Sequence, residues 1–299
     1  MAIRILLTGK NGQVGFELQR TLAPLGEVIA FDHQQLNLSN TPQLRARIQD
    51  LRPQLVVNAA AYTAVDRAES EPDIAMQINA AAPAAMAEAA KQVGALLVHY
   101  STDYVFDGAS RVPYTENDPT NPLNVYGKTK LAGEDAIRSS GTSHLIFRTS
   151  WVYGARGRNF LLTILRLARE RRELMVVNDQ IGAPTWSRDI AQATARIIGE
   201  VSIEKCLAVS AAKLSGTYNL TATGETSWFG FAESALHSAR LLGSTTLRPI
   251  CTAEYKTAAR RPLYSVLDSS HFARTFGFTM PAWQASALAV CHEISSASS

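Results

Sequence analysis

Cysteine is scarce. Cys206, Cys251 and Cys291 are the only three in 299 residues, and no two form a C-x-x-C pair. Such a set builds neither a disulfide framework nor a zinc site, and it suits a reducing cytosol. Charge of one sign is also lacking: 29 Lys and Arg stand against 26 Asp and Glu, for a net +3 with no polybasic tract. That balance removes the electrostatic footprint of a nucleic-acid or anionic-membrane binder. Long apolar runs are missing, since even the alanine-rich stretch over residues 80–90 is broken by Pro83 and Glu88; a membrane span needs about 18 such residues. The opening Met1–Ala2–Ile3–Arg4–Ile5–Leu6–Leu7 is too short for a signal-peptide core and reads as a first strand. The six histidines form no H-E-x-x-H or comparable set, so no catalytic metal is expected. The expectation is a soluble, cytoplasmic protein that binds neither nucleic acid nor membrane, with core enough for one large or two modest domains.

What the chain has is glycine at telling positions. Gly9, Gly12 and Gly15 lie in Thr8–Gly9–Lys10–Asn11–Gly12–Gln13–Val14–Gly15, between an apolar run and an amphipathic helical pattern. This spacing lets a strand turn sharply, a diphosphate approach bare backbone and a helix pack close, which makes a dinucleotide cradle. Val14, Leu18, Leu22 and Leu25 carry the helix, with Gly26 placed as its C-cap. A second strand, Glu27–Val28–Ile29–Ala30–Phe31, ends at Asp32, 20 residues beyond Gly12. A carboxylate there accepts the adenosine ribose hydroxyls and repels a 2′-phosphate, which favours NADH. Asp32 reads equally as a turn residue, and NADPH is not ruled out.

A helix over Thr41 to Leu51, a strand over Gln54 to Ala61, an alanine-rich helical region over residues 66–93 with Pro83 at a first turn or kink, and a strand over Ala95 to Tyr100 complete an alternating β/α order. This is the pattern of a doubly wound parallel α/β sheet of the Rossmann type, whose ligands sit beyond the carboxyl ends of the strands. That places Asn58, Ala60, Ala61, Tyr62 and Thr63 along a cofactor path and presents Ser101–Thr102–Asp103–Tyr104 at the next strand end. Tyr126 and Lys130, four apart in a helix running from Asn124 to before Gly141, share one face. Ketone reduction needs a proton donor for the developing alkoxide, and a free phenol, at a pKa of about 10, is a poor one at neutral pH. An adjacent ammonium, helped by the positive nicotinamide ring of the oxidised complex, would bring that pKa toward neutrality. Tyr126 is therefore the expected proton donor, Thr102 the hydrogen-bonding helper at the carbonyl oxygen, and Lys130 a holder of the nicotinamide ribose as well.

Gly9–Lys10–Asn11–Gly12–Gln13–Val14–Gly15, Asn58–Ala59–Ala60–Ala61–Tyr62–Thr63–Ala64–Val65–Asp66, Ser101–Thr102–Asp103–Tyr104–Val105–Phe106, Asn124–Val125–Tyr126–Gly127–Lys128–Thr129–Lys130 and Arg148–Thr149–Ser150–Trp151–Val152–Tyr153 together resemble the dTDP-4-dehydrorhamnose reductases of the extended short-chain dehydrogenase/reductase group. Asn178–Asp179–Gln180–Ile181–Gly182–Ala183–Pro184–Thr185 and Ala259–Arg260–Arg261–Pro262 extend the likeness over nearly the whole chain. The resemblance implies NAD(P)H-dependent reduction of the 4-keto group of dTDP-4-dehydro-6-deoxy-L-mannose to dTDP-L-rhamnose, a nucleotide sugar used in lipopolysaccharide O-antigen biosynthesis. It implies Thr102, Tyr126 and Lys130 for catalysis. It implies Gly9, Gly12, Gln13, Val14, Gly15, Asp32, Asn37, Leu38, Ala60, Ala61, Tyr62, Thr63, Tyr100, Tyr126 and Lys130 for cofactor, and Thr102, Asp103, Tyr126 and Trp151 for the dTDP-sugar. Asn37 stands where the family often has an acid, which leaves the cofactor preference open.

Past Trp151 the alternation loosens, which suggests a boundary near residue 150. Residues 1–150 would form the NAD(P)-binding domain and residues 151–299 a smaller α/β substrate-binding domain, with the chain returning once to the first. Trp151 reads as a platform for sugar or base, or as a core tryptophan. Arg156, Arg158, Arg260 and Arg261 are candidates to clamp a diphosphate, although most such arginines are solvated. Some relatives link a dimer through Mg2+ and clustered glutamates. Glu17 and Glu293 would fit that role, but Arg188 falls where a further acid is wanted, which argues against a metal-linked dimer; Mg2+ is left open, and monomer and homodimer both stand. Two other functions share the motifs: a different nucleotide-sugar 4-ketoreductase or 4-epimerase, and a non-catalytic subunit resembling the regulatory subunit of methionine adenosyltransferase.

Overall fold

The computed structural model describes residues 3–202, 212–243 and 245–297; Cys206 lies outside them. In chain order the first half runs β1 (Ile3–Thr8), α1 (Gln13–Leu22), β2 (Gly26–Phe31), α2 (Thr41–Leu51), β3 (Leu55–Asn58), α3 (Val65–Ala68), α4 (Pro72–Met76), a π turn (Gln77–Ala81), α5 (Ala82–Val93), β4 (Leu96–Thr102), α6 (Val125–Ser140) and β5 (His144–Thr149). The second half runs β6 (Val152–Tyr153), α7 (Phe160–Glu170), β7 (Glu173–Val177), β8 (Ile181–Gly182), β9 (Thr185–Trp186), α8 (Ser187–Ser202), β10 (Gly216–Asn219), β11 (Thr226–Ser227), α9 (Trp228–Ser238), β12 (Thr246–Ile250), α10 (Ser270–Phe276) and α11 (Trp283–Ala297).

Six strands form one parallel sheet in the order β10-β5-β4-β3-β1-β2. Its strands are apolar on both faces because helices cover both. Ile5, Leu7, Val57, Val98 and Phe147 point to a core shared with Leu18 and Leu22 of α1, Ile190 and Ile197 of α8 and Phe272 of α10. Their neighbours Leu6, Val56, Leu97 and Ile146 point the other way, onto Leu44 and Ile48 of α2, Ala85, Met86 and Ala89 of α5 and Ile137 of α6. Strand order reverses between β1 and β3, and such a switch point opens a crevice at the carboxyl ends of the strands.

Several boundaries differ from the sequence reading; β4, for one, runs on through Ser101 and Thr102. Helix α1 stops at Leu22 with Ala23 as C-cap, and Gly26 begins β2 instead of capping a helix that reaches Leu25. The reason is contact: a side-chain carbon on Gly26 would lie 1.9 Å from the Ile3 carbonyl oxygen. Strand β3 ends at Asn58, not Ala61, because the Asn58 Oδ1 accepts from Thr8 Oγ1 (2.8 Å) and from the Ala60 amide (3.3 Å) and turns the chain. The region over residues 66–93 is α3, α4, a π turn and α5 in succession, with Pro83 in the first turn of α5. The π turn carries Asn79, whose amide donates to the Tyr62 carbonyl and to Thr129 Oγ1 of α6.

A second core gathers Tyr153, Leu161, Ile164, Phe231, Trp283 and Val290 from β6, α7, α9 and α11. Between and after these elements the chain goes back to the large sheet twice: α8 and β10 do so first, and α10 follows. Tyr100 of β4 ties the first return down through its hydroxyl, 2.8 Å from Thr194 Oγ1 of α8.

A buried ion pair locks α6 onto β5. Arg148 Nε and Nη2 donate to Glu134 Oε1 and Oε2 at 3.0 and 2.7 Å, with side chains 3% and 0% exposed. Burial pushes the Glu134 carboxyl up, and hydrogen bonds from Arg148 and Arg138 more than offset this, holding it below its ordinary value. The stability from that depression is present above the ordinary carboxylate value and is lost as pH falls through the folded one. Arg148→Met should destabilise the fold by about 2–4 kcal/mol at neutral pH, because the buried Glu134 carboxylate loses two charge-assisted hydrogen bonds and keeps only the one from the part-exposed Arg138. The loss should shrink below about pH 4 as Glu134 takes a proton, read by urea unfolding across pH.

Candidate active site

A cleft of about 570 Å³ opens at the carboxyl ends of β1, β2, β3 and β4. Gly9, Gly12, Gln13 and Val14 reach it from the glycine loop, and Asp32, Asn37 and Leu38 from beyond β2. Ala60, Ala61 and Thr63 follow β3, and Tyr100, Tyr126 and Lys130 stand at the far end.

The glycine loop owes its shape to contacts that side chains would forbid. Gly9 has φ +76°, and a Cβ there would lie 2.8 Å from the Ala59 carbonyl and the Ala60 nitrogen. Gly15 is not in the cleft wall. Its Cβ would meet Gly9 O at 2.1 Å, so it lets α1 pack on the loop. Gly12 is the N-cap of α1 and caps it with no side chain, so the first-turn N–H groups are left to face the cleft. A Cβ on Gly12 would meet only Gly9 O, at 3.2 Å, and would otherwise stand in the cleft itself. Bare amides at a positive helix end fit a diphosphate.

Asp32 is both of the things its sequence position allowed. Its Oδ1 accepts from the Gln34 and Gln35 amides at 3.1 and 3.0 Å, which makes a turn, and its carboxylate lines the cleft. The Gln35 amide and then Lys10, 3.4 Å away, hold its pKa below the ordinary value. A carboxylate at this place fits ribose hydroxyls.

At the other end, α6 is pressed against the end of β4, since a Cβ on Gly127 would lie 2.2 Å from Tyr104 O. Asn124 caps the helix by accepting from Gly127 N at 2.8 Å. Tyr126 is thereby brought edge-on to Tyr104, ring centroids 5.9 Å apart, and next to Thr102 and Asp103. Burial raises the Tyr126 phenol to about 12, with Thr102 pulling the other way and Asp103 adding to the rise. Lys130 does not offset this. Its Nζ donates to Tyr100 O at 2.6 Å and sits 3.2 Å from His99 Nε2, and burial lowers it to about 8. The expected phenol–ammonium pairing is therefore replaced by a protonated phenol beside a threonine hydroxyl.

Known proteins share the fold and much of the sequence. A family model described as RmlD substrate binding domain matches residues 3–296. The dTDP-4-dehydrorhamnose reductase of Escherichia coli (strain K12) is 46% identical over 300 residues, covering 98% of either chain. The solved dTDP-4-dehydrorhamnose reductase of Clostridium acetobutylicum ATCC 824 superposes with a TM-score of 0.90 at 38% identity, over 98% of this chain and 100% of the other. That of Bacillus anthracis str. Ames, in complex with NADP, gives 0.88 at 39%, with the same coverage. The chain belongs to the dTDP-4-dehydrorhamnose reductase family.

Several residues that the family likeness suggested lie outside the cleft wall. Tyr62 turns its hydroxyl onto Glu71 Oε2 at 2.5 Å. Trp151, at φ +46°, stacks on Trp228 with centroids 3.5 Å apart and planes 5° from parallel. Gly182 packs so closely on that indole that a Cβ would fall 2.5 Å from Cε2, so the ring is held in place, and it stays partly exposed. Thr102 and Asp103 are buried beneath Tyr126. Of the arginines, Arg158 lines the cleft, Arg156 lies over the Phe16 ring at 4.1 Å, and Arg261 pairs with Asp66 at 2.7 Å.

The metal link known among some reductases of this family does not fit here. Arg188 donates to Glu17 at 3.1 Å and to Glu293 at 2.8 Å, so a guanidinium stands between the two carboxylates. Among the described residues no group of three or more His, Cys, Asp or Glu is placed to hold a cation.

The sequence reading missed His33, Leu36, Ile78, Thr149 and Val152 in the cleft wall, and His99 behind Lys130. A lone histidine among apolar residues in Leu96–Leu97–Val98–His99–Tyr100 was the available signal. Ile78 and Val152 carried none, because tertiary packing alone brings them there.

Burial also raises the Asp103 carboxyl, to about 7. A raised folded value means that stability from this group is present at low pH and is lost as pH climbs through 7. Asp103→Asn keeps an oxygen for the Thr102 hydroxyl, 3.0 Å away in the wild type. The variant should gain up to about 4 kcal/mol on the wild type between pH 4 and pH 8 in denaturant unfolding. A difference that does not change with pH contradicts this.

Proposed function

We propose that this chain reduces the 4-keto group of dTDP-4-dehydro-6-deoxy-L-mannose to dTDP-L-rhamnose with NADH or NADPH, in the cytoplasm. The observation that carries the reading is Tyr126, a partly buried phenol beside Thr102 at the end of a cleft that begins at the bare N-terminus of α1. The relatives' names supply the substrate class, and the Bacillus anthracis enzyme's NADP complex supports a nicotinamide cofactor.

Each residue has a task in this reading. Gly9, Gly12, Gln13, Val14 and Arg158 would hold the diphosphate, Asp32, Asn37 and Leu38 the adenosine, and Ala60, Ala61, Thr63, Tyr100 and Lys130 the path to the nicotinamide. When bound, the reduced nicotinamide supplies the hydride. Tyr126 gives its proton to the carbonyl oxygen as negative charge develops there, and a pKa of about 12 keeps that proton in place until it is needed. Thr102 orients the phenol and shares the developing charge. Asp103 and Trp151 would act on the sugar from behind, through Thr102 and through the Trp228 stack. Residues 1–150 are read as the cofactor domain and residues 151–299 as mainly the substrate domain, with α8, β10 and α10 given back to the large sheet.

The direct test follows loss of reduced-nicotinamide absorbance when the protein meets the dTDP-4-keto sugar. No oxidation of NADH or of NADPH sinks the proposal, and would favour the epimerase or the non-catalytic reading. Tyr126→Phe should bind cofactor as the wild type does while turnover falls by roughly 10²–10⁴-fold. Asp32→Ala should shift the NADH/NADPH ratio of kcat/KM toward NADPH by about tenfold, because it removes a carboxylate that repels the 2′-phosphate and frees Lys10.

A further inference from the structure

Behind Lys130 lies a chain of buried hydrogen bonds whose proton count can be worked out. Thr8 Oγ1 and the Ala60 amide both donate to Asn58 Oδ1. The Asn58 amide nitrogen therefore faces His99 Nδ1, at 3.0 Å. An NH2 group only donates, so Nδ1 accepts, and a neutral imidazole must carry its hydrogen on Nε2. Nε2 lies 3.2 Å from Lys130 Nζ. An ammonium has no lone pair for that hydrogen, so this arrangement suits Lys130 as a neutral amine that donates to Tyr100 O.

Charging Lys130 requires a rearrangement. One proton from a solvent acid bonds to Nδ1, the Nε2–H bond breaks, and that hydrogen forms the third N–H bond of Nζ. Nε2 then accepts from the ammonium, and Nδ1–H needs an acceptor, which the Asn58 side chain supplies only by turning over and giving up Thr8 and Ala60. We propose that His99 is a positioning residue that couples the protonation of Lys130 to the orientation of Asn58, a residue buried at the wall of the cofactor cleft.

The surroundings support this. Glu134 on α6 acts on Lys130, Tyr126 stands one turn before it, and Arg148 on β5 and Asp103 at the end of β4 reach the cluster only through Glu134 and Tyr126. Glu134 is engaged by Arg148 and Arg138, while β1 and β3 offer the uncharged Thr8 and Asn58. Burial, and then Lys130, holds His99 well below its usual value, so the ring exchanges tautomers and does not charge. Lys130 near 8 changes state close to neutrality.

The consequence for turnover rests on the proposed reductase reading; the coupling itself does not. The first measurement is long-range 1H–15N NMR of the full chain labelled in histidine, titrated from about pH 6 to 10, with His99 assigned by its loss in His99→Gln. We expect the Nε2–H tautomer at high pH, the Nδ1–H tautomer at low pH and a midpoint near 8, abolished in Lys130→Met. One tautomer throughout, or an ordinary imidazolium titration, overturns the proposal. In turnover, His99→Gln offers an amide oxygen to the ammonium and should move the Lys130-dependent limb up by about one pH unit. His99→Leu leaves the ammonium only Tyr100 O and should move it down by about as much. Equal losses of kcat with an unmoved limb mean a merely structural role. A positive NMR result without wild-type turnover refutes the reductase reading and leaves the coupling standing.

Discussion

The distance between α6 and the end of β4 governs this molecule. At Gly127 the helix meets the Tyr104 carbonyl oxygen, and at Gly133 it meets that of Asn79, each so closely that a Cβ would lie 2.2 Å from oxygen. Two glycines on one helix therefore bring Tyr126 beside Thr102 and sink Lys130 to 1% exposure. A helix with side chains at those positions would stand off the sheet, and Lys130 would reach solvent. The Glu134–Arg148 pair then fixes the same face of the helix one turn further on.

Burial follows from that approach, and burial sets the electrostatics. It raises Tyr126 and Asp103 and lowers Lys130, each away from its charged form. The end of the cleft thus holds a proton on the phenol and a lysine that changes state near neutral pH, where an exposed Tyr–Lys pair would hold a solvated phenol and a fixed cation. Desolvation outweighs the attraction expected of an ammonium four residues away, because Lys130 turns to Tyr100 O and His99 and away from the phenol.

The cleft's other end works on different physics. There the polar groups are backbone amides left free by a helix cap without a side chain, and Asp32 and Lys10 are partly exposed, so screening by water keeps their influence local. Gln13 joins this end to the second half of the chain, donating to Val152 O at 3.2 Å and accepting from Asn159 at 2.9 Å. The glycine loop is thereby tied to the region past residue 150.

Local sequence determined the alternating β/α order, the helix α2 to its end residues, the glycine loop and the Tyr126–Lys130 face, because each rests on spacing or backbone conformation within a few residues. Tertiary structure decided what lies across from them. Gly26 looks like a helix cap in the chain and is a strand residue because Ile3 lies against it. Trp151 looks like a free platform and is stacked on Trp228, 77 positions away in number but in contact in space. His99 looks like one polar residue in an apolar strand, and only the meeting of β1, β3, β4 and α6 gives it Asn58 on one ring nitrogen and Lys130 on the other. Hydrogen-bond partners and desolvation are properties of neighbours in space, and spacing along a chain does not contain them.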